Sequence, residues 1–244
     1  MKLEKRKALI TGASRGIGRA AACALADAGA DCMLVGRNTD ALQRVAEQIT
    51  GKGRKAEYMS IDLTDPSAPE KIVGNMVEML GGIDYLINNA GAALSKPIEE
   101  TTAEDWDKIM SINARAPFLL CRAAIPQLRR SVRENGGPAI INISSVVGRK
   151  GYTDQGAYTA SKHALLGFTK VLAKELQADD IRVHALCPGG VDTEMIAQMR
   201  PDLDKSVLID PEEIADIILF LLTHRGNAVI DDINIRRAAG TAWA

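Results

Sequence analysis

The chain of 244 residues is 46% hydrophobic and 25% charged, a balance that excludes a mainly disordered protein and suits one α/β domain with a sizeable core. Thirty basic and 31 acidic side chains leave a net charge of −1, so no bulk field draws nucleic acid or an anionic membrane surface. Cys23, Cys32, Cys121 and Cys187 are widely spaced and form no Cys-x-x-Cys, which predicts free thiols in a reducing cytoplasm. The basic stretch 1–7 is followed by only Ala8-Leu9-Ile10 before Thr11-Gly12, too short for the apolar region of an export signal. No run approaches the ~20 apolar residues that a membrane span needs. His163, His184 and His224 lack ligand spacing with any cysteine or carboxylate, so no metal site is predicted.

In chain order, short apolar runs alternate with segments of helical period. Strands are predicted at 7–11, 31–36, 55–61, 83–88, 139–144, 181–187 and 228–235. Helices are predicted at 17–29, 39–51, 67–81, 103–132, 156–178 and 211–223, the last with Ile214, Ile217, Ile218 and Leu221 as a core stripe. Several strands are too apolar to have a wet face, so the pattern predicts a single-domain, doubly wound α/β fold around a seven-stranded parallel sheet. The stretch 188–211 breaks the alternation with Pro188-Gly189-Gly190, Pro201 and Pro211 and exceeds an ordinary connection; residues 189–210 are predicted to form a lid.

The first strand runs into Thr11-Gly12-Ala13-Ser14-Arg15-Gly16-Ile17-Gly18 and then an Ala-rich helix. Backbone N–H groups at such a turn can approach a pyrophosphate because glycine puts no Cβ in the way. A tight βα turn without a ligand is the other reading. Where an acidic residue would accept from an adenosine ribose 2′-hydroxyl, Gly36-Arg37-Asn38 stands instead. Arg37, with Arg15, can pair with a 2′-phosphate, which favours NADP(H) over NAD(H); two solvated arginines are the alternative. At the third strand end, Asp62-Leu63 can face an adenine, or Asp62 can cap a helix before Pro66.

Tyr158 and Lys162 are four apart in a helical stretch and share one face. A phenol of pKa ~10 is a poor base at neutral pH, and a neighbouring ammonium together with an oxidised nicotinamide favours phenolate.

With these motifs in place, the sequence resembles the short-chain dehydrogenases/reductases over nearly its whole length. Thr11 to Gly18 looks like the family's cofactor turn and Asn88-Asn89-Ala90-Gly91 like its fourth-strand motif. Asn113 resembles the helical asparagine, and Ser145, thirteen before Tyr158, the active-site serine. Pro188-Gly189, with Val191 and Thr193, is similar to the nicotinamide loop. The resemblance implies a Rossmann-type NADP(H)-binding domain over 1–244. It implies that Ser145 polarises a carbonyl, Tyr158 exchanges the proton, Lys162 holds the nicotinamide ribose and tunes Tyr158, and Asn113 fixes a water. Gly12, Ser14, Arg15, Gly16, Ile17, Gly18, Arg37, Asn38, Asp62, Leu63, Asn89, Ala90 and Gly91 would line the cofactor.

The implied reaction is hydride transfer between NADP(H) and a small-molecule ketone or secondary alcohol. A 3-oxoacyl thioester reductase is one alternative and a non-catalytic NADP(H)-sensing protein another. Gln177-Ala178-Asp179-Asp180 stands where carrier-dependent members tend to offer basic residues, and the tail 231–240 lacks a glycine-rich ending. Met195, Ile196, Met199 and Leu203 amid charged residues suit a wettable lid. Across from it, Val146 to Tyr152 predict an apolar wall where Arg149 or Lys150 can meet an anionic group on a compact substrate; two solvated basic residues indifferent to substrate are the alternative. Ala157, Ala160 and Ala164 predict close packing of the Tyr158 helix against a copy in a homodimer or homotetramer.

Overall fold

The computed structural model describes residues 2–135, 137–200 and 202–242. Its strands are β1 (Lys7–Thr11), β2 (Asp31–Gly36), β3 (Ala56–Ser60), β4 (Tyr85–Asn88), β5 (Ala139–Ile143), β6 (Arg182–Pro188) and β7 (Asp232–Ile235). They form one sheet in the order β3-β2-β1-β4-β5-β6-β7, every pairing parallel. The helices are α1 (Gly16–Asp27), α2 (Thr39–Thr50), α3 (Ala68–Leu80), α4 (Ala103–Met110), α5 (Ala116–Glu134), α6 (Gly156–Leu176), α7 (Glu194–Met199) and α8 (Pro211–Thr223).

Alternation within each strand builds two cores. Ile10, Leu34, Ile87 and Ile141 point to the layer that holds Leu25 of α1, Leu42 and Ile49 of α2, and Ile214 and Ile218 of α8. Their neighbours Leu9, Met33, Leu86 and Ile140 point to the opposite layer, against Ile72 and Met76 of α3, Leu120 and Leu128 of α5, and Leu172 of α6. β4 and β5 are buried along their whole length, as a sheet covered on both faces requires. The strand order reverses between β1 and β4, which opens a crevice at the carboxyl ends of the strands.

The opposite end of the sheet is closed by Asp84, 1% exposed. Its carboxylate accepts from the Lys7 backbone N–H at 2.8 Å, from Asn135 Nδ2 at 2.9 Å and from the Ser131 hydroxyl, with Arg6 at 3.5 Å. A buried carboxylate is tolerable when its lone pairs are filled in this way.

Three differences from the sequence expectation matter. The single helix expected at 103–132 is α4, then a π-helical turn Ser111–Arg115, then α5. The last strand begins at Asp232 instead of 228, because 226–229 are exposed and lie off the sheet. Within 189–210 the chain forms α7 and a 3₁₀ turn, Lys205–Val207, and a bridge between Val191 and Ile209 closes the base of the segment. Pro201, a predicted breaker, lies outside the described residues. Among the described residues no helix is long and apolar enough to cross a membrane.

Candidate active site

At the carboxyl end of β1 the chain turns through Gly12 at φ +65° and Gly16 at φ +52°, conformations that disfavour a side chain. A Cβ on Gly18 would lie 2.3 Å from the Gly12 carbonyl oxygen and 2.5 Å from Asn89 Nδ2, so the start of α1 is pressed onto the turn. Asn89 Nδ2 donates to Thr11 O at 3.0 Å and Gly12 O at 3.3 Å. Thr11 Oγ1 in turn accepts from the backbone N–H of Asn89 and of Ala90, both at 3.0 Å. These bonds fix the β1 and β4 ends to each other and leave no room for a Cβ at Gly12 or Gly18, so the backbone of the turn lines the cradle there. Ser14 stands beside Gly36, with its hydroxyl 3.7 Å from where a Cβ on Gly36 would sit.

Beyond β2, the Arg37 side chain is exposed over a shallow depression shared with Asn38, Thr39 and Asp40. Asn38 caps α2, accepting from Ala41 N at 3.0 Å. Asp62 accepts from Thr64 N at 2.9 Å and Thr64 Oγ1 at 2.8 Å, and these bonds, with Arg37 nearby, hold its carboxyl below the ordinary value. Asp62 thus closes a short turn onto Thr64 and caps no helix, since α3 is entered through Ser67, and Leu63 is buried beside it. Arg15 forms an ion pair with Glu194 at the start of α7.

The second half of the site is a clasp between the end of β5 and the first turns of α6. Lys162, 4% exposed, donates from Nζ to the Ile143 carbonyl at 2.9 Å. Ser144 donates to the Lys162 carbonyl at 3.1 Å. Ser145 shares a side-chain hydrogen bond with the Tyr158 phenol, accepts from Val147 N at 3.3 Å and donates to Pro188 O at 3.4 Å. Three consecutive residues thus each engage the turn from Tyr158 to Lys162, or its backbone. Sequence reasoning singled out Ser145 alone of the three. The adjacent serine carried no separate signal, and the Ile143 contribution is a backbone carbonyl.

Asn113 sits in the π-helical turn, 1% exposed, where the widened register turns its amide toward the β4 loop. It accepts from Ala92 N at 2.9 Å and donates to Ala92 O at 2.8 Å and to Ser161 Oγ at 2.9 Å. Ser161 donates to Tyr158 O at 2.7 Å, so Asn113 is joined to the tyrosine turn through a residue that sequence reasoning missed. A Cβ on Gly91 would be 3.0 Å from Asn113 Oδ1 and 3.7 Å from Lys162 Nζ, which explains glycine there.

Burial pushes the Tyr158 phenol above its ordinary value, and the bond with Ser145 pulls it back. Burial also pushes the Lys162 ammonium down to about 8. The expected lowering joins the ammonium to an oxidised nicotinamide, whereas in the free chain burial dominates the phenol. Lys162 Nζ is 5.9 Å from the tyrosine ring centroid, spends a proton on Ile143, and leaves desolvation in control of the phenol.

On the far wall, Pro188 ends β6, Gly189 N donates to Ile235 O at 2.7 Å and Val191 is buried. Thr193 caps α7, accepting from Ile196 N at 3.4 Å, and its Cγ2 lies 2.9 Å from where a Cβ on Gly16 would sit. Arg149 is paired with Asp232 of β7 and hydrogen-bonded to Cys187. Lys150 lies over the Tyr152 ring, 5.3 Å from its centroid. Among the described residues no group of three or more His, Cys, Asp or Glu comes together as metal ligands do.

Comparison with known proteins adds an independent line. The model of the short chain dehydrogenase family matches residues 6–204. The chain is 33% identical over 242 residues to the 3-oxoacyl-[acyl-carrier-protein] reductase of Aquifex aeolicus, with 96% of each chain covered. It is 34% identical over 203 residues to a 3beta-hydroxysteroid dehydrogenase of Mediterraneibacter gnavus, covering 83% of this chain and 72% of that one. Among solved structures, a metagenomic short-chain oxidoreductase in complex with NADP superposes with a TM-score of 0.84 at 33% identity, covering 98% of this chain and 100% of the other. The carveol dehydrogenase of Mycobacterium avium in complex with NAD gives 0.88 at 26% identity and 96% coverage of each.

The buried ammonium has a thermodynamic signature. Its ordinary value is 10.5 and its folded value about 8, so between these the unfolded chain holds a proton that the folded chain has released. Stability contributed by this site therefore rises with pH from about 8 toward 10.5 and is flat below. In urea unfolding of the cofactor-free chain, the parent should gain on Lys162→Met across that window; a gap independent of pH would contradict the buried, charge-disfavouring site.

Proposed function

Because the chain belongs to the short-chain dehydrogenase family, we propose that it is an NADP(H)-dependent reductase of compact, mostly apolar ketones that also oxidises the corresponding secondary alcohols. The observation that carries this reading is the buried Tyr158 phenol, hydrogen-bonded to Ser145 and one helical turn from a buried lysine. A proton donor, a carbonyl-orienting hydroxyl and a cation are brought together beside a glycine cradle suited to a pyrophosphate.

The cradle at Gly12, Gly16 and Gly18 would hold a nicotinamide cofactor, whose chemistry when bound would be hydride transfer. Ser145 donates a hydrogen bond to the carbonyl oxygen and polarises it. Tyr158 gives that oxygen its phenolic proton, which suits a phenol kept protonated by burial, and takes the proton back from an alcohol in reverse. Lys162 would hold the ribose hydroxyls and favour the phenolate left after proton transfer. Asn113 keeps the Ala92 backbone and Ser161 in register beneath them, a position from which it would also hold a water. Ser14, Arg15, Ile17, Arg37, Asn38, Asp62, Asn89, Ala90, Val191 and Thr193 would complete the cofactor site, and 189–210 would close over it as a lid.

The Aquifex relative supports a 3-oxoacyl thioester as an alternative substrate, since Asp179 is paired with Arg129 at 2.8 Å and repels an acidic carrier less than its sequence suggests. We place the protein in the reducing cytoplasm, on the strength of four free cysteines of which three are buried. For assembly we propose a homodimer or homotetramer joined through α6. Ala157 is turned inward against its own chain, whereas Ala164 is exposed and Gly167 faces open space, beside the exposed Phe118 and Val171.

Three measurements test these readings. Tyr158→Phe should bind NADPH as the parent does and lose at least a hundredfold in turnover on a panel of diketones and 3-oxoacyl esters; activity within tenfold of the parent removes Tyr158 as proton donor. Arg37→Asp should shift preference from NADPH toward NADH by deleting a phosphate partner and adding a repelling charge. A parent that uses both cofactors equally well contradicts the arginine argument. Light scattering at micromolar concentration should give an oligomer, and a monomer would leave the α6 face without its proposed occupant.

A further inference from the structure

We propose that Glu194 is a cofactor-specificity residue: it competes with the 2′-phosphate of NADP(H) for Arg15, weakening NADP(H) relative to NAD(H). The inference rests on the NADP(H) reading above and concerns a residue that plays no part in it.

Arg15 is the residue from which α1 starts, in extended conformation, and it follows Ser14, whose hydroxyl stands against Gly36 immediately before Arg37, so the two arginines border the same end of the crevice. Glu194 opens α7, directly after Thr193, whose methyl group is packed on Gly16. The two halves of the crevice therefore touch at this point, and the Arg15–Glu194 ion pair spans the contact. Both side chains are more than half exposed, 59% and 62%, so the pair is solvated and exchangeable. A guanidinium fork binds one carboxylate or one phosphate face to face, and the same N–H groups cannot serve both.

The other arginine of the pocket is differently placed. Arg37 is exposed just past the end of β2, over a depression shared with Asn38, Thr39 and Asp40. Arg37 is thus available to a 2′-phosphate from the outset, whereas Arg15 has to leave Glu194 to reach one. NAD(H), without that phosphate, leaves the pair intact and α7 tethered to the turn. NADP(H) draws Arg15 away and releases the tether. Glu194 consequently sets how much of the preference created by the arginines is realised.

The test is a double-mutant cycle read by binding. Dissociation constants for NADPH and NADH are measured by nicotinamide fluorescence for the parent, Glu194→Gln, Arg15→Ala and the double variant. Glu194→Gln should tighten NADPH by about two- to fivefold, the range set by an exposed ion pair, and leave NADH unchanged. In the Arg15→Ala background the same substitution should change neither constant. Equal tightening of both cofactors, or tightening that persists without Arg15, means that Glu194 acts as a general negative charge and overturns the proposal; so does no change. The parent's own NADPH-to-NADH ratio, and its response to Arg37→Asp, report separately on the NADP(H) reading. A parent that prefers NADPH with a flat cycle rejects the role of Glu194 alone.

Discussion

An ammonium group buried at Lys162, without a carboxylate partner among the described residues and held by the carbonyl of Ile143, is the constraint around which the site is arranged. A buried charge is tolerated only where dipoles are fixed on it, and here the fixed dipole is the last residue of a central strand. The strand end and the helix are consequently locked in one register. Ser144 reaches the Lys162 carbonyl, and Ser145 meets Tyr158. Gly148 is required because a Cβ there would stand 2.6 Å from Ser144 Oγ and 3.0 Å from the Lys162 carbonyl. The same desolvation that lowers the lysine raises the tyrosine, so both groups are biased toward their neutral forms in the free chain.

The cofactor half of the crevice depends on a different device, the bonding of Asn89 and Thr11 across the point where the strand order reverses. Packing and charge are divided between the two halves. The catalytic half is buried, with Asn113 bonded to Ser161 at 2.9 Å, Ser161 to the Tyr158 carbonyl at 2.7 Å, the Tyr158 phenol to Ser145, and Ser145 to the Pro188 carbonyl at 3.4 Å. The cofactor half is edged by exposed arginines whose partners are few and solvated. Exchange of ion pairs belongs at that edge, and proton transfer belongs in the interior, where water is excluded.

Much of this was legible in the residues. Apolar runs are enough to place the parallel strands, because the five inner ones, β2, β1, β4, β5 and β6, are buried on both faces and have little freedom in their pattern. Tyr158, Lys162, Ser145 and Asn113 stood out by spacing and family resemblance, and the fold gathers them at one end of the sheet. The π-helical turn at 111–115 was invisible, since one widened turn does not disturb a 3.6-residue periodicity read over thirty residues. Long-range pairing was equally hidden. Arg15 and Arg149 looked free to meet a ligand, yet each finds an acid from a distant element, Glu194 and Asp232. Asp84 gave no signal at all, because its value lies in four donors that come together only after β1, β4 and α5 have packed.

The central claim, that the clasped Tyr158 turn and the glycine cradle act together on one carbonyl, is tested most directly by following the hydride itself. The parent protein is incubated with NADPH deuterated at C4 of the nicotinamide and a compact diketone, and the alcohol formed is examined by mass spectrometry and NMR. Deuterium at the carbinol carbon, one atom for each cofactor oxidised and on a single face, is the predicted result. NADPH that binds tightly yet transfers no deuterium to any ketone, thioester or aldehyde offered would contradict the account and leave a protein that senses the cofactor without using it.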